Sequence, residues 1–150
     1  MGGNNVNDHL ELRLGARPWQ PTDSTRLVTE LDFHDVPTAG IFEQDGCPVL
    51  FMCADGHGTS VTVWVYAPLE IAEAEALSAV QGGDTIDAEI KRVFRTKPMV
   101  AALAVDGRLR LAAPMHLRSQ RSPLREAALA AVTEQADSEQ EAVRSLLTPA

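Results

Sequence analysis

The stretch IFEQDGCPVLFMCADGHGTSVTVWVYA, residues 41–67, decides the fold class, because it reads as strand, turn, strand, turn, strand. Its middle run, Cys47 to Ala54, is apolar on both parities. Val49, Phe51 and Cys53 fall on one face, and Leu50, Met52 and Ala54 on the other. A strand that is apolar on both sides needs cover on both sides and so belongs in the middle of a sheet. Asp45-Gly46, just before it, accepts the positive φ angles of a tight hairpin turn, so Ile41–Gln44 should return antiparallel into Cys47–Ala54. Asp55-Gly56-His57-Gly58 supplies the next turn. Thr59 to Ala67 then places Val61, Val63 and Val65 on one face, and Ser60, Thr62, Trp64 and Tyr66 on the other. The β-branched face is core. The Trp64/Tyr66 face reads either as a second core layer or as a contact surface, because these amphipathic rings concentrate at protein interfaces.

Working outward, Leu27, Thr29, Leu31 and Phe33 alternate with Arg26, Val28, Glu30 and Asp32, the period of a half-buried strand. Asp35, Pro37 and Gly40 read as its end. Residues 1–24 read as an irregular arm with at most a short strand or turn near Leu10–Leu14, and residues 25–150 as a single α+β domain. Past Pro68, Leu69 to Val80 is rich in helix formers. After Gly82-Gly83, Asp84 is placed to cap a second helix with an apolar stripe at Ile86, Ile90, Val93 and Phe94. Met99–Val105 and Arg108–Ala113, joined by Asp106-Gly107, read as a later hairpin. Ser122-Pro123 opens a third helix. Ser138 with Glu141 has the spacing of a capping box before a short fourth helix. The expected fold is therefore α+β: a largely antiparallel sheet of about six strands, a four-strand run followed by the later hairpin, packed with two central and two C-terminal helices.

The bulk numbers agree with one domain. The chain has 150 residues, 45% apolar and 23% charged, close to globular averages and sufficient for a self-contained core. No apolar run approaches the ~20 residues that span a bilayer, and the N-terminus has no basic segment leading into an apolar one. Gly2 lacks the Ser or Thr at position 6 of a myristoylation signal, since Val6 stands there. A cytoplasmic location is the expectation. Cys47 and Cys53, six residues apart on one strand, would sit ~20 Å apart, too far for a disulfide or a shared metal.

The charge is lopsided. Residues 91–125 hold nine of the 13 basic residues, Lys91, Arg92, Arg95, Lys97, Arg108, Arg110, Arg118, Arg121 and Arg125, against one acid, Asp106. The whole chain nevertheless carries a net charge of −8. Such an asymmetry steers charged partners to one side, or pairs internally with the acidic remainder. Arg118, Arg121 and Arg125 approach a helix start, where backbone N–H groups also attract anions. Arg108, Arg110, Arg118, Arg121 and Arg125 are thus the candidate anion-binding residues. An acidic chain whose basic stretch holds only Phe94 as an aromatic is a poor match for nucleic acid.

Catalytic signatures are missing from the chain. It has no nucleophile elbow, Walker loop or dinucleotide fingerprint. His34, Asp35 and His57 would be the place to look for an enzyme site, but a His-Asp pair at a strand end is ordinarily a turn, and a metal needs three or four convergent ligands. No cofactor and no metal are expected. In element order and acidity the chain resembles the small secretion-chaperone-like α/β dimers, although their usual first helix is missing. The resemblance implies a homodimer that binds another protein. The expectation is accordingly a non-catalytic protein-binding accessory or regulatory module, chaperone-like or immunity-like, with Trp64 and Tyr66 as candidate protein-binding residues. An anion or nucleic-acid binding module is the alternative, and a small enzyme near His34, Asp35 and His57 the third reading.

Overall fold

Two Asp-Gly turns set the hairpins. Asp45 (φ 51°) with Gly46 (φ 83°), and Asp106 (φ 50°) with Gly107 (φ 77°), all adopt left-handed backbone angles, which lets each pair of strands keep its right-handed twist across a two-residue connection. A computed structural model describes residues 18, 22, 25–34, 36–56, 58–80, 83–115 and 123–147. Its strands are β1 (Thr25–His34), β2 (Val36–Gln44), β3 (Cys47–Asp55), β4 (Val61–Pro68), β5 (Met99–Val105) and β6 (Arg108–Met115). They form one antiparallel sheet in chain order. Three helices accompany it among the described residues: α1 (Ile71–Ala79), α2 (Gly83–Thr96) and α3 (Leu124–Leu147). The α+β class and the six-strand antiparallel sheet are as the sequence pattern predicts.

Three details differ. First, the C-terminal pair of helices is a single 24-residue helix. No Gly or Pro lies between Leu124 and Leu147, and Asp137 and Ser138 each cost only about half a kcal/mol in a helix interior, too little to outweigh continued backbone hydrogen bonding. The capping reading of Ser138 therefore falls inside the helix.

Second, β2 runs straight through Pro37 and Gly40 instead of beginning at Ile41. Gly40 is opposite Phe51, and a side chain there would stand 2.9 Å from the Phe51 ring. Glycine in a strand costs about 0.5–1 kcal/mol, whereas burying a phenyl ring gains about 1.5–3 kcal/mol. The packing wins, and what looks locally like a break is the seat of an aromatic ring. Third, β1 shifts register between Leu27 and Thr29, which makes Val28 the extra residue of a bulge. The bulge changes parity: Leu27 packs with one face of the sheet and Leu31 with the other.

The two faces of the sheet differ. On the first, Ile41, Leu50, Val63, Val65, Met99 and Ala101 pack with Leu77 of α1, Ile90, Val93 and Phe94 of α2, and Ala128 and Val132 of α3. On the second, Phe42, Phe51, Trp64 and Tyr66 gather with Val49, Val100, Ala102 and Ala104. Their rings meet at centroid separations of 5.9–6.1 Å. Every described residue in this second cluster belongs to the sheet itself. Phe42, Phe51 and Tyr66 are nonetheless fully buried, so β3 is covered on both faces, as its two-sided apolar pattern requires.

Both cysteines are free thiols. None of the described helices is long and apolar enough to cross a membrane.

Candidate functional sites

Trp64 and Tyr66 point into the second-face cluster. Trp64 is 2% exposed and Tyr66 0%, so both rings are core in this fold and neither offers surface to a partner. The Trp64 indole N–H donates to Thr62 Oγ1 at 2.9 Å, which satisfies the one polar atom of the ring. The Tyr66 hydroxyl is buried without a hydrogen-bond partner among the described residues. Burial pushes its pKa well above the ordinary phenol value, so the group stays protonated at any physiological pH.

The candidate cations scatter. Arg108 and Arg110 are exposed on β6, an edge strand, where charged side chains discourage pairing with another chain. Pro114 on the same strand lacks an N–H and adds to that effect. Arg118, Arg121, Asp35 and His57 lie outside the described residues, as does the side chain of His34. No group of three or more His, Cys, Asp or Glu able to hold a metal occurs among the described residues.

Arg125 is brought to a defined place. At the start of α3 its Nε donates to Asp55 Oδ1 at 2.7 Å, across 70 positions of sequence. Beside this ion pair lies a cavity of about 310 Å³ lined by Met52, Cys53, Ala54, Lys91, Arg95, Pro123, Leu124 and Arg125. Three of the basic residues thus converge from α2 and α3 onto the far end of β3. The sequence pattern groups these residues by composition but gives no reason to separate Lys91 and Arg95 from the rest. What selects them is their position one turn apart on α2. Cys53 forms part of the wall and donates its S–H to the Asp55 carbonyl at 3.5 Å. Burial pushes its pKa up to about 11, with the Asp55 carboxylate adding to the rise. The thiol is therefore neutral, and a poor nucleophile, at neutral pH.

A second hollow lies at the other end of β3. It encloses about 500 Å³ between the β1–β2 edge and α1, lined by Val28, Ile41, Glu43, Gly46, Pro48, Ile71, Ala74, Glu75, Ser78 and Ala79. Two large apolar side chains are spent on water here: Val28, 49% exposed, and Ile71, 69% exposed. Val28 is turned outward by the β1 bulge. Ile71 opens α1, which buries only Leu77 against the sheet.

The groove's walls are held in place locally. Thr29 and Ser78 share a hydrogen bond between their hydroxyls at 3.1 Å, tying β1 to α1. The backbone N–H of Glu70 donates to Glu73 Oε1 at 2.9 Å, closing the first turn of α1. Glu73 in turn pairs with Lys97, just past α2. Its hydrogen bond to Lys97 is the main cause holding its carboxyl below the ordinary value. The rim is acidic through Glu43 and Glu75, and Arg26 lies 3.4 Å from Glu43 at one end.

The sequence signal for this groove is the outward parity of Val28 and the leading position of Ile71. Periodicity places Val28 on the polar side of β1 but does not bring it beside Ile71. Compared with models of protein families, with curated proteins and with solved structures, the chain matches none.

Proposed function

We propose that this protein is a non-catalytic protein-binding module, and that the groove between the β1–β2 edge and α1 receives a short segment of another protein. The observation that carries the reading is the pair of exposed apolar side chains, Val28 and Ile71, on either side of a hollow of about 500 Å³. Apolar surface gathered around a concavity and rimmed by polar groups is what a peptide-accepting groove requires. The rim carboxylate of Glu75, with Glu43 already facing Arg26, favours Lys or Arg in the bound segment, beside one or two apolar anchors. Trp64 and Tyr66 lie in the aromatic cluster on the other face of the sheet and do not line the groove.

Sheet-edge pairing is the less favoured mode of association. β1 carries register irregularities at three places, and β6 presents arginines and a proline. Both features blunt an edge.

The test is a selection of short displayed peptides on the wild-type protein, with Ile71→Asp as the counter-selection. Enriched sequences should combine Leu, Ile, Val or Phe with nearby Lys or Arg. Synthetic copies should bind wild type and lose about tenfold or more in affinity with Ile71→Asp. A selection without consensus, or peptides that bind the variant equally well, would refute the groove. Light scattering at high concentration separates a foreign segment from a second copy: an Ile71-dependent dimer would make the chain its own partner.

A further inference from the structure

We infer that the aromatic face of the sheet is a docking surface for the chain's own N-terminal segment, seated through the alternating run Leu10, Leu12 and Leu14. Phe42, Phe51 and Tyr66 are fully buried on that face and Trp64 nearly so. Every described residue of their cluster nevertheless belongs to the sheet, and the buried residues of α1, α2 and α3 pack on the other side. β1 and β6 are the two edges, so the sheet is open rather than closed around the rings. A dry face of an open sheet is packed against a second layer. The burial belongs to one chain by itself, which makes that layer part of this chain and not a second copy or a foreign protein.

Outside the described residues, only 1–17 and 116–122 run longer than three residues. The later stretch, HLRSQRS, carries one large apolar side chain, Leu117, too little to dry four rings. The earlier one carries Leu10, Leu12 and Leu14 alternating with Glu11 and Arg13, the pattern of a segment with one apolar side and one wet side. The dimensions agree. Extended, Leu10 to Leu14 spans about 13 Å, and Phe42, Phe51 and Tyr66 stand on three adjacent strands about 10 Å across.

The way the chain enters β1 points to the same face. Thr25 lies opposite Gln44, and Leu27 opposite Phe42. Leu27 packs with the aromatic cluster, so Thr25, two residues before it, turns its side chain to that side as well. Thr25 and Gln44 are accordingly buried polar residues at the end of the aromatic face. Thr22 joins there. Its N–H donates to Thr25 Oγ1 at 3.0 Å, and the two hydroxyls share a hydrogen bond at 2.9 Å. The Thr25 N–H donates to the Thr22 carbonyl at 3.3 Å, which fixes a reversal of the chain. Pro18, four residues earlier, is fully buried. From Thr22 the eight residues back to Leu14 reach at most about 28 Å, enough to lay the leucine run across all three strands.

The experiment uses the full chain carrying Trp19→Phe, which leaves Trp64 as its one indole. Emission and acrylamide quenching then read how far Trp64 meets water, while circular dichroism reads the helices on the other face. Leu12→Asp combined with Leu14→Asp should shift the emission to the red and raise quenching toward that of free tryptophan, with the helical signal kept. Glu11→Gln with Arg13→Gln, on the opposite parity, should leave both readings unchanged. Trp64 still shielded in the leucine variant, or equally exposed by the Glu11 and Arg13 changes, would overturn the docking. If the leucine variant loses its helices, proton contacts in the unaltered chain decide the matter by nuclear magnetic resonance. The rings of Phe42, Phe51 and Tyr66 should show them to the methyl groups of Leu10, Leu12 and Leu14. Their absence would overturn the inference, and so would contacts found only between labelled and unlabelled chains in a mixed sample, which would assign the layer to a second copy.

Discussion

The two hollows sit at opposite ends of the same strand and are lined by opposite kinds of residue. At the β1–α1 end, Val28 and Ile71 expose apolar surface under an acidic rim. At the α2–α3 end, Lys91, Arg95 and Arg125 crowd positive charge around a half-apolar space. β3 links them, from Pro48 at the lip of the groove to Cys53 in the wall of the cavity. The difference teaches what a chain of net charge −8 does with nine cations packed into residues 91–125. Part is spent in pairs such as Arg92 with Glu89 at 2.8 Å and Lys97 with Glu73. Three others, Lys91, Arg95 and Arg125, line the cavity, while apolar exposure marks the groove.

The largest effect comes from the scaffold that both hollows share. Phe94 is fully buried between α2 and the sheet. Phe94→Ala should cost about 3–5 kcal/mol in denaturant unfolding. A cost below about 1 kcal/mol would show that the ring is not part of the common core.

Next is the thiol contrast, which sharpens the apolar character given to the cavity wall. Cys53, with its pKa raised from 9.0 to about 11 by burial, should react with iodoacetamide far more slowly than exposed Cys47 at pH 8. A single unit of such a shift is already roughly tenfold in thiolate. The thiol holds its proton in the folded chain where an unfolded one loses it, so unfolding releases a proton and stability falls as pH rises between about 9 and 11. Peptide mapping of the labelled thiols across that range checks both points. Equal labelling at pH 8 would mean that the wall is wet.

How much of this is legible in the sequence depends on whether the cause is local. Asp45-Gly46 and Asp106-Gly107 carry their turn geometry in their own backbones, and the parity of β3 and β4 follows from residue type. The helix stripe of Ile90, Val93 and Phe94 is likewise buried as its spacing predicts. Gly40 is misleading because its reason is a ring eleven residues away in sequence, Phe51. The Val28 bulge reverses the parity of β1 without any Gly to announce it. The cavity depends on Arg125 reaching Asp55 over 70 positions, which no local pattern encodes. Trp64 and Tyr66 are ambiguous in sequence because an amphipathic ring suits a core and an interface equally, and only the packing of Phe42 and Phe51 against them decides.

A smaller effect tests the groove by sign. Lys97→Met should remove the partner of Glu73 and loosen the start of α1 at a cost of about 0.2–1 kcal/mol. The Glu73 carboxyl sits below its ordinary 4.5 in the folded chain. Its contribution is therefore present above that pH and lost as pH falls through the folded value. Stability curves of wild type and Lys97→Met should accordingly converge in acid. Curves that stay parallel down to strongly acid pH would remove the pair from the account.

The most direct measurement is the affinity of a groove-selected peptide for wild type and for Ile71→Asp, with unfolding free energies recorded alongside. Ile71 is 69% exposed, so the account predicts stability unchanged within about 0.5 kcal/mol and peptide affinity down about tenfold or more. Unchanged affinity with unchanged stability would contradict it, and would mean that the exposed apolar groove is not where this protein meets its partner.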